Sequence, residues 1–244
     1  MADRMRPHAS VPVGQINAQS LPTPPPASAM SIDAAEKVCA TLYCLPFEEL
    51  YGLDNCDFPW LLAVKGMGLT LAVDTVRRSI MAVGAEQQRF QCIARLYAWL
   101  IPRRIYRTWV LHRLGEALSN TDRTLTCSSF VNAFHTTGSL VAHGSVNTGL
   151  ALCLTVMVLD DSCWPPECTP ICFAMWHGLP YVAVSIWDRT AYIDTYLIAL
   201  VSVLGALEDC CCGVSDDLDS LHIEAKRRAR QSRVQGLEPG LENN

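Results

Sequence analysis

Two apolar runs, Gly149 to Leu159 and Tyr196 to Leu207, constrain this chain more than any other feature. Each must leave water, because burying apolar surface is worth roughly 25 cal/mol per Å². Each is also too short to span a bilayer as a helix, which takes about 20 apolar residues. Asp160 and Asp161 close the first run, and Asp194 and Glu208 flank the second. Both runs are therefore expected as core helices of a fold that faces water. A membrane-associated helical protein, acylated at Cys210 to Cys212, is the minor alternative.

The rest of the chain reads in the same way. Residues 32–50 suggest a short helix broken at Pro46, and Trp60 to Val83 a longer one weakened by Gly66 and Gly68. Phe90, Ile93, Leu96, Tyr97 and Leu100 recur at helical spacing between Glu86 and Leu100. Pro102 is expected to start a further helix, with Ile105, Trp109, Leu114 and Leu118 inward. Ser119 to Asp122 supply a turn and an N-cap. Residues 128–161 and 190–224 read as long helices, separated by Pro165, Pro166 and the apolar stretch Pro170 to Trp187. The expected fold class is all-α. Residues 1–30, rich in Pro, Ala and Ser, are expected as a disordered leader, 31–225 as one helical domain, and 226–244 as a basic and then polar tail.

Composition narrows the function. The formal net charge is −5, which argues against a nucleic-acid partner, since such binding needs a basic face. The N-terminus carries no apolar run of signal-peptide length, so the expected location is cytoplasmic and the 12 cysteines are expected as reduced thiols packed in the core. Cys163, Cys168, Cys172 and His177 have only a loose zinc-like spacing, with no C-x-x-C pair.

Two acidic motifs carry the chemistry. Asp160 and Asp161 would sit at the C-terminal end of a greasy helix, where the helix dipole repels negative charge. A bound cation would offset that penalty. Asp216, Ser220 and Glu224 recur every four residues, drifting only about 40° per step around a helix. A carboxylate, a hydroxyl and a carboxylate in line are hard oxygen ligands suited to Mg²⁺.

The segment Asp216-Asp217-Leu218-Asp219-Ser220-Leu221-His222-Ile223-Glu224 resembles the second metal motif of class I terpene synthases, and Val158-Leu159-Asp160-Asp161-Ser162 resembles their aspartate-rich motif. The stretches Met175 to Leu179 and Ser185 to Trp187 are similar to the fungal trichodiene synthase group. The resemblance covers about residues 130–225. It implies a helical bundle around an apolar cavity, with Asp160, Asp161, Asp216, Ser220 and Glu224 binding three Mg²⁺ ions. The substrate implied is a prenyl diphosphate, farnesyl diphosphate by analogy with that group, ionised to a carbocation that cyclises. Arg227 and Arg228, in the basic run after Glu224, are the candidates to grip diphosphate. No catalytic base is assigned, and a homodimer is an open alternative to a monomer. Asp160 and Asp216 are 56 residues apart, about half the family's separation, and the chain ends 20 residues after Glu224. Against the family the chain therefore reads as truncated, with little or no cyclase activity expected. An inactive helical remnant of the family is the main rival.

Overall fold

The apolar run at Gly149 to Leu159 forms a strand rather than a helix. In the computed structural model, which describes residues 27–103, 108–115, 121–160, 166–186, 193–204 and 211–235, strand β3 is Ala151–Asp160. Leu154, Val156 and Val158 pack on one side of it, and Cys153 and Met157 on the other. A strand covered on both faces shows no polar alternation, so its sequence looks like that of a buried helix. Thr155, Val156 and Val158 are β-branched and favour the extended form.

The expected all-α class is therefore corrected to mixed α/β. Strands β1 (Trp109–Arg113), β2 (Leu140–Asn147), β3, β4 (Glu167–Trp176), β5 (Tyr181–Ile186) and β6 (Cys211–Ser215) form one antiparallel sheet in the order β2-β3-β4-β5-β1-β6. From β2 to β5 the sheet is a meander of consecutive hairpins. Gly149 and Gly178 stand in their turns at φ 79° and 72°, a conformation glycine adopts without a Cβ penalty. Strand β1 enters between β5 and β6. The expected helix over 128–161 thus resolves into the end of a helix and two strands. The stretch Pro170 to Trp187 is most of β4 with β5, and the expected helix after Pro102 gives way to β1.

Seven described helices cover the sheet: α1 (Ala27–Leu42), α2 (Phe47–Leu50), α3 (Leu69–Ala82), α4 (Glu86–Leu100), α5 (Arg123–Thr136), α6 (Ile193–Leu204) and α7 (Leu218–Gln235). Side chains alternate across a strand, so each face collects its own core. One face gathers Cys153, Cys172, Ala174, Trp176, Trp109 and Leu111 under α1, α3, α4 and α7. The other gathers Leu154, Val156, Phe173, Val182 and Val184 under α5 and α6. The expected helix over 190–224 is split into α6, strand β6 and α7. The one expected from Trp60 starts only at Leu69. There Asp54 accepts the backbone N–H groups of Val64 and Lys65 at 2.8 and 2.7 Å, and Gly66 takes φ 83°, both incompatible with a helix. Helix α4 matches its expected span. Helix α1 starts at Ala27, inside the expected leader, and α7 runs past residue 225. Among the described residues no helix is long and apolar enough to cross a membrane.

Candidate functional site

The two acidic motifs do not meet. Asp160 is the last residue of β3, paired by its backbone with Glu167, and Asp161 lies outside the described residues. Thr155, Cys172, Ser185, Trp109 and Ser215 form one row across the sheet, and Asp216 follows that row directly. Asp160 and Ser215 are therefore four strand steps and five residues apart. That is on the order of 25 Å at about 4.8 Å per step and 3.3 Å per residue.

Nor does the second motif offer free ligands. Asp216 precedes α7 and accepts a hydrogen bond from the Thr108 hydroxyl at 3.2 Å. Ser220 donates its hydroxyl to Asp217 at 2.7 Å, and Asp217 also accepts the Ser220 N–H at 3.1 Å, in the manner of a helix cap. Glu224 is gripped by Arg227 at 2.6 and 2.7 Å and by Arg228 at 2.6 Å. Hydrogen bonds from these two guanidiniums, Arg227 first, pull its carboxyl down to about 2. Arg227 and Arg228, the candidate diphosphate ligands, are thus held by a carboxylate. As placed, Ser220 and Glu224 are engaged with protein partners rather than turned together toward an Mg²⁺ ion. Among the described residues no group of three or more His, Cys, Asp or Glu side chains could hold a metal ion. The loose zinc spacing also separates: Cys168 lies at the start of β4 and His177 beyond its end, while Cys163 lies outside the described residues.

A different set of polar side chains converges at the opposite end of the sheet. A cleft of about 380 Å³ is lined by Thr121, Asp122, Arg123, Thr124, Asn147, Leu152, His177 and Gly178. Three chain segments build it: the start of α5, the β2–β3 turn and the β4–β5 turn. The two turns are tied by the His177 N–H donating to the Leu150 carbonyl at 3.1 Å.

Local chemistry sets the state of each group. Asp122 caps α5, accepting the Thr124 N–H at 2.6 Å. That backbone bond and the Thr124 hydroxyl hold its carboxyl below the usual carboxylate range, so it is ionised. Asn147 Oδ1 accepts the Gly149 N–H at 2.9 Å, which identifies it as the oxygen of that amide. It lies 3.2 Å from His177 Nε2. An oxygen can only accept, so Nε2 donates to it, and the neutral form of the ring has Nδ1 left as an acceptor facing the cleft's other groups.

A buried guanidinium braces the floor of the cleft. The Arg123 side chain is buried, 6% exposed, and donates Nε to the Trp176 carbonyl at 3.3 Å and Nη2 to the Leu179 carbonyl. One guanidinium thus closes the β4–β5 turn onto α5. Replacing Arg123 by Met keeps the stem and strips buried carbonyls of charged donors, which costs roughly 2–3 kcal/mol. Chemical denaturation checks this. A loss under about 0.5 kcal/mol would show that the carbonyls find other donors.

Part of this site was visible in the sequence. The Asp122 cap follows from Ser119 to Asp122, whereas the sequence offers His177 only a loose spacing to Cys163, Cys168 and Cys172. Asn147 carried no signal, since its role depends on a hairpin turn that the helical reading removed. No protein-family model and no curated protein matches the chain.

Proposed function

We propose that this protein binds a small, donor-rich polar molecule, of the amino-alcohol or amino-sugar type, in the cleft at the start of α5. What carries the reading is His177 pinned by Asn147 beside an ionised Asp122. Nδ1 of His177 can accept a hydroxyl proton from a bound ligand, and Asp122 supplies the counter-charge for an ammonium. The same Nδ1 can serve as a general base if the bound hydroxyl is the reacting group. The cleft's 380 Å³ is near the small end of the range of about 300–1,000 Å³ typical of ligand sites. The metal-dependent lyase expectation has no assembled donor set among the described residues to support it.

Ligand-observed NMR with ethanolamine, glucosamine and inorganic pyrophosphate plus Mg²⁺ tests the reading. The amine probes should bind, and Asp122→Asn should weaken them at least tenfold while keeping its helix-capping amide oxygen. Binding of amines by Asp122→Asn as tight as by the parent would overturn the proposal. Binding of pyrophosphate with Mg²⁺ alone, abolished by Glu224→Gln, would favour the lyase reading instead.

A further inference from the structure

His112 stands buried in the middle of the sheet. It is a β1 residue, 4% exposed, and neither ring nitrogen has a hydrogen-bond partner among the described residues. Alternation along β1 sends Trp109 and Leu111 to one face and His112 to the other. On that face its cross-strand neighbour on β5 is Val182, and Leu114 follows on its own chain; both belong to the apolar cluster under α5 and α6. On β6 its backbone partner is Cys211.

The place of His112 in the sheet matters as much as its surroundings. The β1–β5 pairing is unbroken over five residue pairs, from Trp109↔Ser185 to Arg113↔Tyr181. The β1–β6 pairing shifts register between Leu111 and His112, the sign of a bulge. Strand β6 is also the terminal strand of the sheet, held laterally by β1 alone among the described residues. The weakest seam of the sheet therefore runs beside a buried imidazole that has no hydrogen-bond partner among the described residues.

We propose that His112 is an acid-sensitive latch: a proton taken up by its ring opens the β1–β6 seam at the bulge and releases β6. A charged imidazolium has two N–H donors and needs water or an acceptor for both. Among the described residues no charged group supplies one: β5 faces the ring with Val182, its own strand with Val110 and Leu114, α5 brings the Cys127 thiol to the same apolar cluster, and burial is the sole cause acting on the ring's protonation. Lifting β6 admits water at the lowest cost in hydrogen bonds. Burial holds the folded ring at about 4, against 6.5 for a free imidazole. The opened seam thus binds a proton that the closed seam refuses. The contribution to seam stability is complete above pH 6.5 and is lost as pH falls from 6.5 towards 4.

Hydrogen exchange read by mass spectrometry at pH 7 and pH 5, corrected for intrinsic rates, tests the latch on the full chain. Amides of β6 should exchange roughly tenfold faster at pH 5, while those of β3 and β4 stay protected. In His112→Leu and His112→Phe, the acid effect on β6 should vanish. Two results would overturn the proposal: an undiminished acid effect in both variants, or equal loosening of β3 and β6 in the parent. Should a variant fail to fold, NMR titration of the His112 ring in the parent decides. It must follow the same pH curve as β6 exchange, and a separate curve sinks the latch.

Discussion

Gly144→Ala should destabilise the protein by about 3 kcal/mol or more, lowering its melting temperature by roughly 6–12 °C. Gly144 sits on β2 opposite Thr155, on the face that α4 crosses. A Cβ built there meets the backbone of α4 itself: Arg95 N at 2.4 Å, Ala94 C at 2.7 Å and Arg95 Cα at 2.7 Å. Backbone cannot rotate aside as a side chain can, so helix and strand must separate. Helix α4 carries Phe90, Ile93, Leu96, Tyr97 and Leu100, all buried, and any separation disturbs that whole stripe. Ser145→Ala is the control, since Ser145 is exposed and belongs to the opposite face; it should stay within about 0.5 kcal/mol of the parent. Urea denaturation of both variants measures the difference. A Gly144→Ala protein as stable as the Ser145→Ala one would mean that α4 does not approach β2 this closely.

The need for a glycine at position 144 was not legible in the sequence, and the reason applies to the whole sheet. Helix α4 announces itself because one stripe is apolar and the other is not. Strands β3, β4 and β5 are covered on both faces, so their residues are apolar throughout, and continuous runs of that kind fit a buried helix equally well. The β-branched residues Val156, Val158, Val182 and Val184 were the available counter-signal. The turn glycines Gly149 and Gly178 were another, since each splits an apolar stretch where a hairpin reverses.

The candidate site shows the same division. Asp122 as a helix cap depends on four neighbouring residues and was legible. Asn147 beside His177 depends on two hairpins ending at the same edge of the sheet, which no local pattern encodes. The acidic motifs illustrate the reverse case, in which spacing alone does not say what the side chains bond. Asp216, Ser220 and Glu224 have ligand spacing, but Asp217 takes the Ser220 hydroxyl and two arginines take Glu224. Acids at the start of a helix and arginines three and four residues after a glutamate are ordinary helix-stabilising arrangements.

Phe173→Ala is expected to cost about 4 kcal/mol, and its effect should reach the cleft. Phe173 lies on β4, fully buried, with its ring 4.7 Å from that of Phe130 and 6.1 Å from that of Phe134. Both partners belong to α5, so this aromatic cluster is what seats α5 on the sheet. Truncation removes a large apolar side chain and leaves a cavity that a helix and a central strand cannot close without shifting. The start of the same helix carries Asp122, Arg123 and Thr124, so a shifted α5 moves Asp122 away from His177. Phe173→Leu fills most of the space and should cost only about 1–1.5 kcal/mol, keeping α5 in place. Chemical denaturation gives the stabilities, and the ethanolamine titration reads the cleft. At concentrations of denaturant where both variants remain folded, Phe173→Ala should bind the probe several-fold more weakly than Phe173→Leu. Equal binding by the two would show that the cleft is built by the hairpin turns alone, without help from the packing beneath α5.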